Sequence, residues 1–315
     1  LAATIGVTGI VGGTNPLATF TVNSQGGTSA FGAAVSATSV VLNGTGNTTG
    51  AATITGAVSY GADGTLTMDD DQIVVGSVTT GTTNTGTFTT TTGTNHKTLV
   101  SGSLGTSALK LAAVNITSAN AKTQTFGGGI NATTITLTGG GTAADYAIGG
   151  DINATTVAIA TEGNIELAAG KNITANVTAD GTDRGAIVCG GDCTITGLVG
   201  VVGGNDLRAF TAAATGTATL DGNVAVTTLT VPAGGTVKTT AARTWSAANA
   251  NSGTLDIGGT LTLHNDSGAG DISVATTAIL KLAPADQYTS SVVISAGNDA
   301  VNATNVGTIT PDASM

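Results

Sequence analysis

The sequence predicts an all-β chain, and within that class a β-solenoid, or parallel β-helix, with coils of about 22 residues. Three observations predict it. A strand-like segment recurs at a fixed spacing. Short apolar runs alternate with period 2. The composition suits a narrow interior with Gly-rich corners and suits little else.

The recurrence is clearest in the middle of the chain. Ile130-Asn-Ala-Thr-Thr-Ile-Thr-Leu137 returns as Ile152-Asn-Ala-Thr-Thr-Val-Ala-Ile159, offset by 22. A looser copy places Ile173 21 residues later, and Ile195 follows after another 22. Each copy is preceded by a Gly- or Asp-containing turn: Gly127–Gly129, Gly149–Asp151, Gly170–Lys171 and Gly190–Asp192. Asp and Gly are the residues that turns of this kind use.

Between and beyond these copies lie further strand signals. Ile165 and Leu167, Val224 and Val226, Leu261 and Leu263, and Ile272 and Val274 each alternate with Thr, Glu, Ala or Ser. Period 2 gives one face an apolar character. Runs of four to six residues bounded by Gly, Asn and Asp read as strands. Stacked coils would set equivalent positions over one another at about 4.8 Å, with Thr and Asn forming ladders on the outside.

Composition supports the same class. Gly (48), Thr (63) and Ala (49) make up half of the 315 residues. Charged residues are 9%, against roughly 25% in ordinary domains. Two Glu and six Lys are too few for a helical bundle. A β-sandwich or several small β-domains is the competing architecture. The aromatic residues, at 3%, are single and scattered (Phe20, Phe31, Tyr60, Phe88, Phe126, Tyr146, Phe210, Trp245, Tyr288), which favours the solenoid. Disorder is disfavoured by a hydrophobic content of 40% and a mean hydropathy of +0.30. No apolar run reaches the roughly 18 residues of a membrane-spanning helix. A net charge of −10 repels nucleic acid.

The repeat is weakest before Val100 and after Phe210. Residues 1–99 are therefore read as an N-terminal β region of irregular coils or an assembly segment, and residues 100–315 as the solenoid region. Within the first, Thr79–Thr94 reads as an exposed loop or a polar strand.

Few residues offer chemistry. Asp69, Asp70 and Asp71 are a candidate calcium site, since hard cations take clustered carboxylate oxygens; the competing reading is a solvated turn. Calcium is the only cofactor the sequence suggests. Cys189 and Cys193 flank a tight turn across which a disulfide is reasonable, the alternative being two buried thiols. His264, Asp266 and Ser267 have triad composition, but adjacency in sequence is not how such sets are built, and His96 has no partner nearby. The candidates for a polysaccharide-active solenoid are Asp180, Asp183 and Asp192, with Arg184 beside them; turn chemistry is their alternative. Neither Gly127–Gly129 nor Gly139–Gly141 has the lysine of a phosphate loop.

Asp exceeds Glu by 17 to 2, Lys is scarce, and Thr and Asn are abundant, a balance that suits an extracellular cell surface. With no basic leader and no long apolar segment, the chain reads as a processed product or a fragment.

The runs Ile130-Asn-Ala-Thr-Thr-Ile-Thr-Leu-Thr-Gly-Gly-Gly141 and Leu255-Asp-Ile-Gly-Gly-Thr-Leu-Thr-Leu263 resemble passenger regions of bacterial autotransporter surface proteins. The Thr, Gly and Asn texture over Val100–Thr310 is most similar to the large rickettsial surface antigens, some of which form surface layers. That family ends in an aromatic-rich membrane β-barrel, whereas this chain ends Thr310-Pro-Asp-Ala-Ser-Met315. The resemblance implies a passenger-type solenoid without its barrel.

Low charge density, a repeat with open sheet ends and the thin supply of catalytic groups together lead to one expectation. It is a non-enzymatic structural protein whose partner is itself, a subunit of a surface layer, sheath or filament. Strand addition through Ala2–Val11 would link subunits end to end. An adhesin passenger that contacts host or neighbouring cell-surface or matrix components is the second expectation, and a polysaccharide-active β-helix the third.

Overall fold

The computed structural model describes residues 4–263 except 51–52, 70–71, 92–96, 120–121, 202–203, 241–242, 252–253 and 258–259, together with 271–274, 279–282 and 294–296. It is all-β, with parallel strands stacked as a β-solenoid of about 10 turns and about 21 residues per turn. Among the described residues no helix is long and apolar enough to cross a membrane. The chain divides into two units, Leu1–Asn164 and Ile165–Met315.

In the first unit the first coil carries strands β1 (Thr4–Val7) and β2 (Leu17–Val22), and the second carries β3 (Thr28–Phe31) and β4 (Val35–Leu42). β1 pairs with β3 and β2 with β4, both parallel. The ladder continues downward through Asn47–Gly50, Thr65–Met68, Thr87–Thr90 and Leu111–Ser118. The polar stretch from Thr79 is part of it: Val78–Thr80 and Thr87–Thr90 are strands, and Phe88 is fully buried. Coil length varies here. Thr28 lies over Asn47 and Asn47 over Thr65, steps of 19 and 18, whereas Thr87 lies over Ala113, a step of 26.

In the second unit Ile173 lies in register with Ile195, and Ile195 with Leu220. The first step is the 22-residue spacing read from the sequence, and the second is 25. Ile187 lies over Phe210 and Phe210 over Leu229, while Val224 lies over Trp245. All are buried, so apolar side chains stack on one another from coil to coil. Period 2 explains this: alternate side chains enter the column, and each meets its equivalent one coil away.

Corners are closed by short polar side chains that reach the next coil. Thr194 N–H donates to Asn172 Oδ1 (2.9 Å), Leu198 N–H to Asn176 Oδ1 (3.0 Å), and Thr217 N–H to Asp192 Oδ1 (2.7 Å). In the first unit Gly86 N–H donates to Asp63 Oδ1 (2.9 Å). These bonds satisfy backbone donors where the ladder breaks.

Two phenols lie in the interior. Tyr60 donates its hydroxyl to the Thr87 carbonyl at 2.6 Å, and burial pushes both Tyr60 and Tyr146 above the ordinary phenol value of 10.0. An acid whose folded pKa is raised binds its proton more tightly folded than unfolded. Stability is then intact below the unfolded value and is lost as pH rises past it. Each phenol is expected to remove about 1.4 kcal/mol per pH unit above about 10. Urea titrations at pH 9, 10 and 11 check this, and Tyr60→Phe should reduce the slope.

Candidate functional site

Of the candidate calcium ligands, Asp69 is described and exposed, while Asp70 and Asp71 lie outside the described residues. Asp69 is engaged in its own turn: its N–H donates to Gln72 Oε1 (2.7 Å), and its Oδ1 accepts from Thr91 Oγ1 (3.2 Å). Among the described residues no three His, Cys, Asp or Glu side chains converge on one point.

Cys189 and Cys193 form a disulfide, with Cα atoms 6.1 Å apart. Both sulfurs are buried, so the bridge closes the corner between Arg184–Cys189 and Cys193–Thr196.

The polysaccharide candidates do not gather. Arg184 Nη1 pairs with Asp180 Oδ1 at 2.8 Å across an exposed turn in which Asp183 takes a left-handed φ of 60°. Asp192 sits at the next corner and holds Thr217 N–H. His96, His264, Asp266 and Ser267 lie outside the described residues.

A polar groove of about 420 Å³ runs along the first unit, lined by Ser77, Ser103, Thr106, Ser107, Asn131 and Asp151. Its hydroxyls stack coil upon coil, with Ser103 N–H donating to Ser77 Oγ at 3.1 Å. Such a groove offers hydrogen bonds to a hydroxylated ligand but no aromatic platform.

The feature that departs most from its surroundings is the end of the first unit formed by the first coil. Ala2 and Ala3 lie outside the described residues; Thr4–Val7 is β1, and Val11 bridges to Val35. Among the described residues β1 pairs with β3 and β2 with β4. The register shows what lies uncovered. Ile5 matches Ser29, Val7 matches Phe31, Leu17 matches Ala37, and Phe20 matches Val40. In the second coil these positions are at most 7% exposed; in the first, Ile5 is 58% and Leu17 40% exposed. Ile10 adds a further exposed apolar side chain. Ile5, Val7, Phe20, Val22 and Phe31 line an apolar groove of about 300 Å³, with the Phe20 and Phe31 rings edge to face at 5.6 Å.

Electrostatics sharpen the contrast. No Asp, Glu, Lys or Arg occurs before Asp63. Edge strands are normally guarded by charge, by Pro within the strand, by bulges or by covering segments. Here Pro16 stands just outside β2, and nothing described lies over either edge. The sequence offered Ala2–Val11 either as a strand-adding segment or as the first coil, and its described part, Thr4–Val7, stacks on Thr28–Phe31 as a strand of the first coil. The exposed apolar side chains there and at Leu17 fall within that charge-free run. No family model, no curated protein and no solved structure matches this chain.

Proposed function

We propose that this chain is a non-enzymatic, extracellular structural protein that self-assembles as a subunit of a cell-surface layer, sheath or filament. One observation carries the reading: the large apolar side chains Ile5, Ile10 and Leu17 of the first coil are exposed among the described residues, within a run that holds no charge before Asp63. Association through one coil end also joins unlike surfaces, and contacts of that kind build open filaments where the rotation does not close. The extracellular setting is supported by the Cys189–Cys193 disulfide and by the acidic, Lys-poor composition. The non-enzymatic reading is supported by the engagement of Asp180, Arg184 and Asp192 in the solenoid's own ion pair and corner bond.

Electron micrographs and sedimentation of the purified chain test this reading. Concentration-dependent polymers are expected. Material that remains monomeric at every concentration, with and without calcium, would remove it.

A further inference from the structure

The polar groove of the first unit owes one wall to a local lengthening of the chain. Val78, Leu104 and Ile130 lie in register on successive coils, as do Thr87, Ala113 and Thr134. Nine residues therefore lead from Val78 to Thr87 and nine from Leu104 to Ala113, whereas four lead from Ile130 to Thr134. The two long connections are braced. Thr106 N–H donates to the Leu109 carbonyl (2.9 Å) and Leu109 N–H to Thr106 Oγ1 (3.0 Å), which closes the second connection on itself. Asn84 N–H donates to the Lys110 carbonyl (2.8 Å) and Lys110 N–H to Thr83 Oγ1 (3.3 Å), which ties it to the first. Asn84 Oδ1 in turn accepts from Thr133 Oγ1 on the coil beyond. The result is a rib whose exposed Thr106 and Ser107 line the groove.

The floor is a trough for a separate reason. Val78, Leu104 and Ile130 are fully buried, so the residues on either side of each point outward. Gly105 and Gly129 fall in these outward rows. Their backbones lie against the next coil: an added Cβ would stand 2.1 Å from the Asn131 carbonyl oxygen at Gly105 and 2.5 Å from that of Asp151 at Gly129. Close stacking thus empties the middle of the face of side chains. Asn131 Nδ2 reaches the Gly105 carbonyl at 3.5 Å, which lays its amide along the floor. Ser77 stands on the first coil of the trough and Asp151 on the fourth, three coil steps or about 14 Å along the stack.

The lining selects a chemistry. Among the described residues that form it, Asp151 alone carries a charge. A lone carboxylate on a chain of net charge −10 disfavours anions. Every hydroxyl of a sugar both donates and accepts, and the groove offers both: a carboxylate acceptor, an amide, and serine and threonine hydroxyls that do either. Glycoside cleavage uses a pair of carboxyl groups, and the described lining supplies one. We propose that this groove binds, without cleaving, a short uncharged oligosaccharide extended along the coil stack. Asp151 and Asn131 hold its hydroxyls at one end, and Ser77, Thr106 and Ser107 engage the remainder. The site neither requires nor precludes self-assembly.

Saturation-transfer NMR of the full chain tests the site, with cellotetraose, maltotetraose, mannotetraose and chitotetraose as neutral ligands and tetragalacturonate as the charged control. At least one neutral tetramer is expected to bind with near-millimolar affinity. Binding is weak because hydrogen bonds to water are exchanged for hydrogen bonds to protein, with no aromatic face to add to them. Tetragalacturonate is expected to bind at least about tenfold more weakly. Asp151→Asn keeps the side-chain shape and removes the charge, and should lower affinity about tenfold, as should Asn131→Ala. Thr155→Ala, at an exposed position outside the groove, should leave binding unchanged. Ser107→Trp fills the groove from an exposed turn and should abolish binding while the thermal transition stays in place. It decides the matter if a floor variant fails to fold.

A panel in which no neutral tetramer binds overturns the proposal. So does tetragalacturonate binding as well as the neutral ligands, or binding that survives Ser107→Trp or a folded Asp151→Asn. The measurement reads the ligand's signals, so it serves monomer and polymer alike, and its failure leaves the self-assembly reading untouched.

Discussion

Ile195→Asp is expected to unfold the second unit at room temperature. Ile195 is fully buried and lies in register between Ile173 and Leu220, so its side chain fills the axis and meets an apolar neighbour in the coil on either side. A carboxylate at that position would lose its water among apolar side chains. An unpaired charge in such a place is among the most costly changes a protein can undergo. Stacked repeats derive their stability from contacts with immediate neighbours, so damage to one coil removes two interfaces. Ile195→Ala isolates the packing part and should cost about 2–5 kcal/mol. Thr196→Ala, one residue along on the exposed face, should change stability by less than about 0.5 kcal/mol. Urea unfolding followed by circular dichroism measures all three. An Asp variant as stable as the parent would mean that the axis is not dry.

The second large effect is expected at a corner of the first unit. Gly56 adopts a φ of 135°, and a Cβ added there would sit 1.8 Å from the Ala37 carbonyl oxygen of the coil above. Gly76 repeats the arrangement one coil on, with a Cβ 2.2 Å from the Gly56 oxygen. The backbones at this corner approach too closely for any side chain. Gly56→Val combines a strained dihedral with a clash against main chain that cannot rotate away, and should cost on the order of 3–5 kcal/mol. Gly170→Ala is the contrast. Its φ is 72°, but nothing lies within 4 Å of the new methyl group, so only the dihedral penalty of about 1–2 kcal/mol is expected. Equal melting temperatures for the two variants would show that coil contact does not set the glycine requirement.

The legible part of the fold was the part where coil length is constant. Ile173 and Ile195 are 22 residues apart and share one position in the column, so the recurrence in sequence is the repeat in space. Across residues 4–118 the steps range from 18 to 26, because corners gain or lose residues while the inward positions require only an apolar side chain of suitable size. A fixed-period comparison loses such coils, although Leu66, Phe88 and Val114 stack as well as the isoleucines do. The candidate site was less legible. Asp180, Asp183, Arg184 and Asp192 attracted attention as charges in a charge-poor chain, yet Asp192 serves a corner and Asp180 holds Arg184. Leu17 and Phe20 are ordinary apolar strand residues, and nothing in their own identity distinguishes them from Val40 or Val58.

By itself the sequence determined the strand class, the inward and outward alternation and the thin apolar interior. These follow from local rules: period-2 patterning, β-branched residues and small side chains act within a few residues of one another. Only the tertiary structure decided which coil lies over which, and therefore which interior positions are left bare. Burial in a stacked fold depends on whether another coil sits above a side chain. That neighbour comes from some twenty residues away.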